Sequence, residues 1–118
     1  MFVTGCDLVD IARLSAVIDR RAGLLERVFT PTEIADARRG GVVAGSEVER
    51  ARLAARFAAK EAVRKALRNL RLPLRDIEVR TEPDGAPVVW IEGSRSTLSC
   101  SLSHDGGIAM AVIVGPAS

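Results

Sequence analysis

From Arg56 to Leu67 the chain reads Arg-Phe-Ala-Ala-Lys-Glu-Ala-Val-Arg-Lys-Ala-Leu, with no Gly and no Pro. Alanine loses no side-chain entropy on entering a helix and straight-chain residues lose little, so this stretch specifies helix strongly. The helix is predicted to open at Ser46-Glu47-Val48-Glu49, a capping-box pattern, and to run to Asn69 or Leu70. Pro73 bars continuation, because it lacks an N–H donor and restricts Leu72 before it. On a helical wheel Ala55, Ala58, Ala59, Ala62, Val63, Ala66, Leu67 and Leu70 share one broad arc. Arg56, Lys60, Glu61, Arg64, Lys65 and Arg68 share the other. Such a polar arc is ordinarily solvated. Here Leu53 and Phe57 fall in its middle, which implies a cover, and Glu61 is its only acid among five cations. A lone carboxylate among cations, beside an aromatic, suits a site that holds a metal and neutralises phosphates.

The remaining elements follow from pattern and punctuation. Phe2 to Val9 reads as a buried opening strand. Asp7 is anomalous within it, since an unpaired buried acid costs several kcal/mol. From the residues alone it caps a backbone group, pairs with a cation or holds a metal, and the cap is favoured. Asp10 is expected to cap a helix carrying Ile11, Leu14, Val17 and Ile18, ended by Gly23. Leu24 to Phe29 is a short apolar turn or helical extension. Thr30-Pro31-Thr32-Glu33 is a capping box with Pro at the first helical position, opening a helix that runs out near Arg39. Gly40, Gly41 and Gly45 predict a mobile loop. Ile77 to Thr81 alternates, Pro83-Asp84-Gly85 turns, and Pro87 to Glu92 returns as a hairpin. After a short connection, Leu98 to Ser103 is a third strand of this half. Asp105-Gly106-Gly107 turns it into Ile108 to Val114, aliphatic enough to be central. Early helices and late antiparallel strands give an α+β fold, an antiparallel sheet packed on a long central helix.

At 118 residues the chain is expected to form one domain, residues 1–118. Aromatics are only 3% and Tyr is absent, so the core must be aliphatic. A net charge of +2 fits an anionic substrate or acidic partner. It fits nucleic acid poorly, because single-strand binders interleave aromatics with basic groups. Cys6 and Cys100 lack CxxC spacing and read as two small buried thiols. No apolar run approaches a membrane span and nothing resembles a signal peptide, so a cytoplasmic protein is expected.

Three segments carry a resemblance. Phe57-Ala58-Ala59-Lys60-Glu61-Ala62 is similar to the Phe/Trp-x-x-Lys-Glu-Ala signature of phosphopantetheinyl transferases. Gly5-Cys6-Asp7-Leu8-Val9 and Ser101-Leu102-Ser103-His104-Asp105 resemble that family's N-terminal and C-terminal elements. Phe29-Thr30-Pro31-Thr32-Glu33 and Asp76-Ile77-Glu78-Val79 resemble further pieces of its short, single-domain holo-acyl-carrier-protein synthase branch. The matches stand in order across nearly the whole chain.

The resemblance implies the transferase fold and transfer of the 4'-phosphopantetheine arm of coenzyme A to a serine of an acyl carrier protein. It implies Mg²⁺ held by Asp7 and Glu61, with adenosine 3',5'-bisphosphate as the leaving product. Glu61 is the candidate base, and Lys65 neutralises the leaving phosphate. Coenzyme A candidates are Arg56, Lys60, Arg64, Lys65 and His104. Lys60 points about a quarter-turn from Glu61 and is the weaker one. Arg56 is left open between phosphate contact and a structural ion pair. His104, the only histidine, reads as structural until the resemblance is applied. Asp105 is read as a turn residue. Arg13, with Arg20, Arg21 and Arg27, would dock the acidic helix of the carrier protein. A homotrimer with active sites shared between neighbours is implied.

Two departures stand out. The family's Gly-rich turn after Lys-Ala-Leu is replaced by Arg68-Asn69-Leu70-Arg71-Leu72-Pro73, which puts backbone cradling of the nucleotide in doubt. Gly93 to Ser99 is too short for the helix the family usually inserts there. The chain reads as a trimmed member, of the kind that serves a dedicated fatty acid or polyketide pathway. The alternatives are a non-catalytic relative that binds carrier protein or coenzyme A, and a basic nucleic-acid module, which composition disfavours.

Overall fold

The structure, a computed structural model, describes residues 1–117. Ser118, the last residue of the expected domain, lies outside the described residues. The chain opens with strand β1 (Phe2–Asp10), then three helices, α1 (Ile11–Arg20), α2 (Leu24–Val28) and α3 (Pro31–Ala37). The long helix α4 (Glu47–Leu67) follows, and a 3-10 turn at Leu74–Asp76 leads into strands β2 (Ile77–Thr81) and β3 (Pro87–Ile91). The short β4 (Ser94–Arg95) precedes β5 (Ser99–Asp105) and β6 (Ile108–Pro116). All strand pairs are antiparallel, in two sheets ordered β1-β6-β5 and β2-β3-β4.

The aliphatic segment expected to be central is β6, flanked by β1 and β5. Leu98 to Ser103 is not a third strand of the hairpin sheet. The pairing of Trp90 with Arg95 gives that edge to β4, and β5 joins β6. The short connection thus holds a strand where the family's pattern calls for a helix.

Helix α4 lies across the inner face of the first sheet. Ala58, Ala59, Ala62 and Val63 are fully buried and meet Ala109, Ala111 and Ile113 of β6. The approach to β1 is closer still: a Cβ built on Gly5 would stand 2.0 Å from the carbonyl oxygen of Ala62 and 2.9 Å from the nitrogen of Ala66. Only glycine lets the strand backbone rest on the helix backbone here. The far side of α4 is covered too. Leu53 packs with Phe29 and Ala37 in a second core, and half-buried Phe57 touches both cores. This accounts for apolar residues on the charged arc.

β1 is not a buried strand. It alternates, with Val9 facing the core while Phe2 and Leu8 are 74% and 67% exposed. Cys6 shares that outer face and is exposed, against the expectation of a buried thiol. Cys100 is partly buried, and burial pushes its thiol up to about 11.

The caps follow the expected chemistry with two exceptions. Asp10 accepts from the N–H of Arg13, and Thr30 and Glu33 form a complete capping box. Helix α1 ends at Arg20, before Gly23, which instead precedes α2 with a left-handed backbone. At Ser46 only half the box forms: Ser46 caps Glu49, but the Glu49 carboxylate accepts from Gly45 N–H at 2.8 Å and from Arg38 and Arg50. Burial alone would raise the Glu49 carboxyl; the Arg38 and Gly45 hydrogen bonds outweigh it and hold the group below its ordinary value. Arg50 reaches on to Ser15 O at 3.1 Å and Asp19 at 3.0 Å, which seats α1.

Helix α4 stops at Leu67, short of the expected end. Arg68 takes a left-handed conformation (φ 52°, ψ 40°), and its N–H and that of Asn69 close onto Arg64 and Lys65 carbonyls. The turn therefore forms without glycine, at a steric cost to Arg68 of about 1 kcal/mol. Arg68→Gly should raise unfolding free energy by about that amount in urea titration. Gly5→Ala should destabilise by about 3 kcal/mol or more, read as a lowered melting temperature, because neither backbone can retreat.

Candidate functional site

Two cavities lie on opposite flanks of α4. The first, about 580 Å³, is lined by Asp7 of β1, Glu61 and Phe57 of α4, Leu14 and Val17 of α1, and Leu74. Asp7 and Glu61, distant in the chain, therefore converge on one cavity, which Asp10, the cap of α1, also lines. They do so because Asp7 shares a strand face with Gly5, where β1 touches α4, and Glu61 precedes Ala62 at that contact. Asp7 and Glu61 side chains are 19% and 27% exposed, open enough to accept a ligand.

The cations of this flank are already engaged. Lys65 donates to Asp7 Oδ1 at 2.9 Å and to the Cys6 carbonyl at 3.0 Å. The Asp7 hydrogen bond holds the Lys65 ammonium above its ordinary value. Arg64 donates to Glu61 Oε1 at 3.3 Å, while its Nε is anchored on Leu72 O at 2.7 Å. Among the described residues the second oxygens of Asp7 and Glu61 have no hydrogen bond.

A divalent ion fits this donor set. Mg²⁺ takes oxygen ligands, usually from one or two protein carboxylates with the rest from phosphate and water. Asp7 and Glu61 each offer an oxygen, and the Lys65 ammonium on Asp7 stands in for a cation. Among the described residues no cluster of three or more His, Cys, Asp or Glu side chains could form an all-protein cage.

Lys60 does not belong to this site. It neighbours Glu61 in sequence but points about 100° away around the helix. Its side chain is fully buried, 2.7 Å from the equally buried Glu33, and it donates to the carbonyls of Leu74 (2.9 Å) and Ile77. Burial lowers the Lys60 ammonium's pKa below its ordinary value, and Glu33 only partly restores it. The expected coenzyme A contact is corrected to an internal ion pair that fastens α4 to the 3-10 turn and β2. Glu33 also accepts from Val79 N–H at 2.8 Å and from Thr30 N–H. The capping-box motif concealed this second duty of Glu33.

The second cavity, about 180 Å³, is lined by Arg39, Arg52, Arg56, Thr81 and His104, with Asp36 as its only acid. Arg56 is 94% buried, donates to Thr81 Oγ1 at 2.8 Å and to Arg52 O, and leaves its Nε without a partner. So Arg56 is partly structural, yet it walls a cationic recess suited to an anion. Arg39 and Arg52 were missed by sequence reasoning. The available signal for Arg52 was its place one turn before Arg56 on the same arc. His104 is exposed and also borders a third, apolar cavity of about 870 Å³ between α1 and the start of α4.

The two sites share no lining residue. Arg56 and Glu61 diverge by about 140° around the helix at 100° per residue, so one chain presents them to opposite sides. Of the expected docking arginines, Arg13 and Arg21 rim the carboxylate cavity, whereas Arg20 and Arg27 do not line it. Asp105 lies in the β5–β6 turn, as read, with Gly106 and Gly107 at positive φ.

A family model described as the 4'-phosphopantetheinyl transferase superfamily matches residues 4–113. A holo-[acyl-carrier-protein] synthase of Beutenbergia cavernae is 41% identical over 93% of each chain. One from Salinispora arenicola is 39% identical over 93% of each. Among solved structures, the Helicobacter pylori holo-[acyl-carrier-protein] synthase in complex with coenzyme A superposes with TM-score 0.75 at 32% identity, covering 96% of this chain and 99% of that one. A Bacillus anthracis holo-(acyl-carrier-protein) synthase in complex with CoA (3',5'-ADP) gives 0.78 at 29% identity, covering 98% and 96%. Among the described residues no helix is long and apolar enough to cross a membrane.

Removing one member of the buried ion pair leaves the other charge uncompensated. Lys60→Met should cost about 3 to 5 kcal/mol of unfolding free energy, and Lys60→Met combined with Glu33→Leu should recover most of it in a double-mutant cycle.

Proposed function

The chain belongs to the 4'-phosphopantetheinyl transferase superfamily, and from that premise we propose a site shared between two copies of it. The activity is transfer of the 4'-phosphopantetheine arm of coenzyme A to a serine of an apo acyl carrier protein. The observation that carries the reading is the convergence of Asp7 and Glu61 on one cavity.

Asp7 and Glu61 would hold Mg²⁺, which would supply positive charge against the diphosphate of coenzyme A. Glu61 is the base that accepts the serine proton. The serine oxygen attacks the phosphorus on the pantetheine side, and adenosine 3',5'-bisphosphate departs. Lys65 neutralises the charge that develops on the leaving group. Little covalent work falls to the protein, so its contribution is position and preorganised charge. Phe57, Leu14 and Val17 give the carboxylates an apolar wall that limits water. Arg13 and Arg21 at the rim meet an acidic carrier-protein helix, a contact that speeds encounter. The reaction is placed in the cytoplasm, in fatty acid or polyketide biosynthesis.

Arg39, Arg52, Arg56 and His104 bind a phosphate of the nucleotide end. Since they open on the flank opposite Glu61, one coenzyme A spans the carboxylates of one copy and the arginines of the next. The outer face of the first sheet supports such an assembly. Phe2, Leu8, Met110 and Val114 stand exposed there, and a ring of copies, a homotrimer as in the family pattern, would cover them.

Mass spectrometry of an apo carrier protein incubated with coenzyme A and Mg²⁺ tests the reading. Wild type should add the phosphopantetheine mass; Glu61→Gln should not, with its circular dichroism unchanged. An Arg39→Ala/His104→Ala variant should be impaired as well. Co-expressing it with Glu61→Gln should restore about a quarter of wild-type activity, the share of sites built from two intact halves. No recovery would mean that each copy works alone.

A further inference from the structure

A side-chain cation sits on Asp7. The Lys65 ammonium lies 2.9 Å from Asp7 Oδ1 and 3.0 Å from the Cys6 carbonyl oxygen. One carboxylate oxygen and one backbone carbonyl make a coordination fragment that suits a hard cation. Glu61, which also lines the cavity, is one helical turn earlier on the same flank.

The two cations of this flank differ in freedom. Arg64 is tied at both ends, with Nε on Leu72 O and Nη1 on Glu61. Lys65 is half exposed, and among the described residues its partners are Asp7 and the adjoining carbonyl. Its flexible four-carbon stem lets the head relocate at little cost.

A divalent ion placed beside Asp7 would stand close to this ammonium. At about 5 Å, even in a near-aqueous dielectric, repulsion between charges of +2 and +1 lowers binding by roughly tenfold or more. A diphosphate removes the conflict twice over: it gives the metal further oxygens and gives Lys65 another anion.

Resting on the function proposed above, we propose that Lys65 is the resident counter-ion of Asp7, which keeps a divalent metal off the free protein and couples its entry to arrival of the nucleotide diphosphate. Metal and coenzyme A then bind as one unit. Lys65 passes from Asp7 to phosphate in the same event, and so is delivered to the leaving group it neutralises. Asp7 also stays paired between turnovers.

The test is Mn²⁺ binding to the intact protein, read from loss of the free-ion electron paramagnetic resonance signal, with and without coenzyme A. Wild type should bind Mn²⁺ weakly alone and at least tenfold more tightly with coenzyme A. Lys65→Met should bind Mn²⁺ alone roughly tenfold more tightly than wild type, and coenzyme A should then add less. Lys65→Arg, which keeps the charge, should resemble wild type. The idea is overturned if Lys65→Met binds Mn²⁺ no more tightly than wild type, or if coenzyme A leaves wild-type affinity unchanged. The wild-type comparison needs no variant to fold. Failure of every form to bind Mn²⁺ even with coenzyme A is a separate result: it would remove Asp7 and Glu61 as a metal pair, and the counter-ion role with it.

Discussion

The contact of Gly5 with the backbone of Ala62 and Ala66 is the constraint from which the rest of the molecule follows. A strand and a helix normally stand apart by the depth of their side chains. Here β1 meets α4 with no side chain between them, because one partner is glycine and the other presents alanine. The period of a strand then places Asp7, two residues on, over the same helix face. The period of a helix places Glu61 and Lys65 on the flank beside it. Close packing thus brings together groups that no local interaction would assemble.

The same helix keeps two kinds of charge apart. Lys60 and Glu61 are adjacent, yet a rotation of about 100° sends one into the core and the other to a cavity wall. Lys60 and Glu33 are both fully buried, and each is also hydrogen-bonded to backbone. That satisfaction is what makes a buried pair tolerable, since the attraction alone does not offset the loss of water. Asp7 and Lys65 are partly exposed and less completely satisfied. The first pair is suited to holding strand β2 against the helix. The second can exchange partners.

Both flanks of α4 are lined for anionic chemistry, but they face opposite ways. The arginine-rich recess and the cavity where Asp7 and Glu61 meet thus open on different sides of one chain, and the outer sheet face carries exposed apolar residues.

Much of this could be read along the chain. The alanine-rich helix, the Asp10 and Thr30 caps, the hairpin and the aliphatic β6 are set by local rules: side-chain entropy, capping hydrogen bonds, proline and alternation. Glu61 was identifiable as an isolated acid on a cationic arc. The reading of β1 as buried failed because alternation between Phe2 and Leu8 is masked when both faces are apolar. Lys60 was the weaker coenzyme A candidate along the chain, but its full burial was not legible there, because burial of a long charged side chain depends on what lies across from it, here Glu33. Arg39 carries no signal without β5 and the hairpin to close the recess around it, and Arg52 carries only its place one turn before Arg56. Sequence alone determined which residues form helix and strand, and which acids were candidates, because those choices depend on neighbours in the chain. Tertiary structure decided that Asp7 meets Glu61, that Lys60 is buried and that the arginines face away, because each depends on packing between segments far apart in sequence.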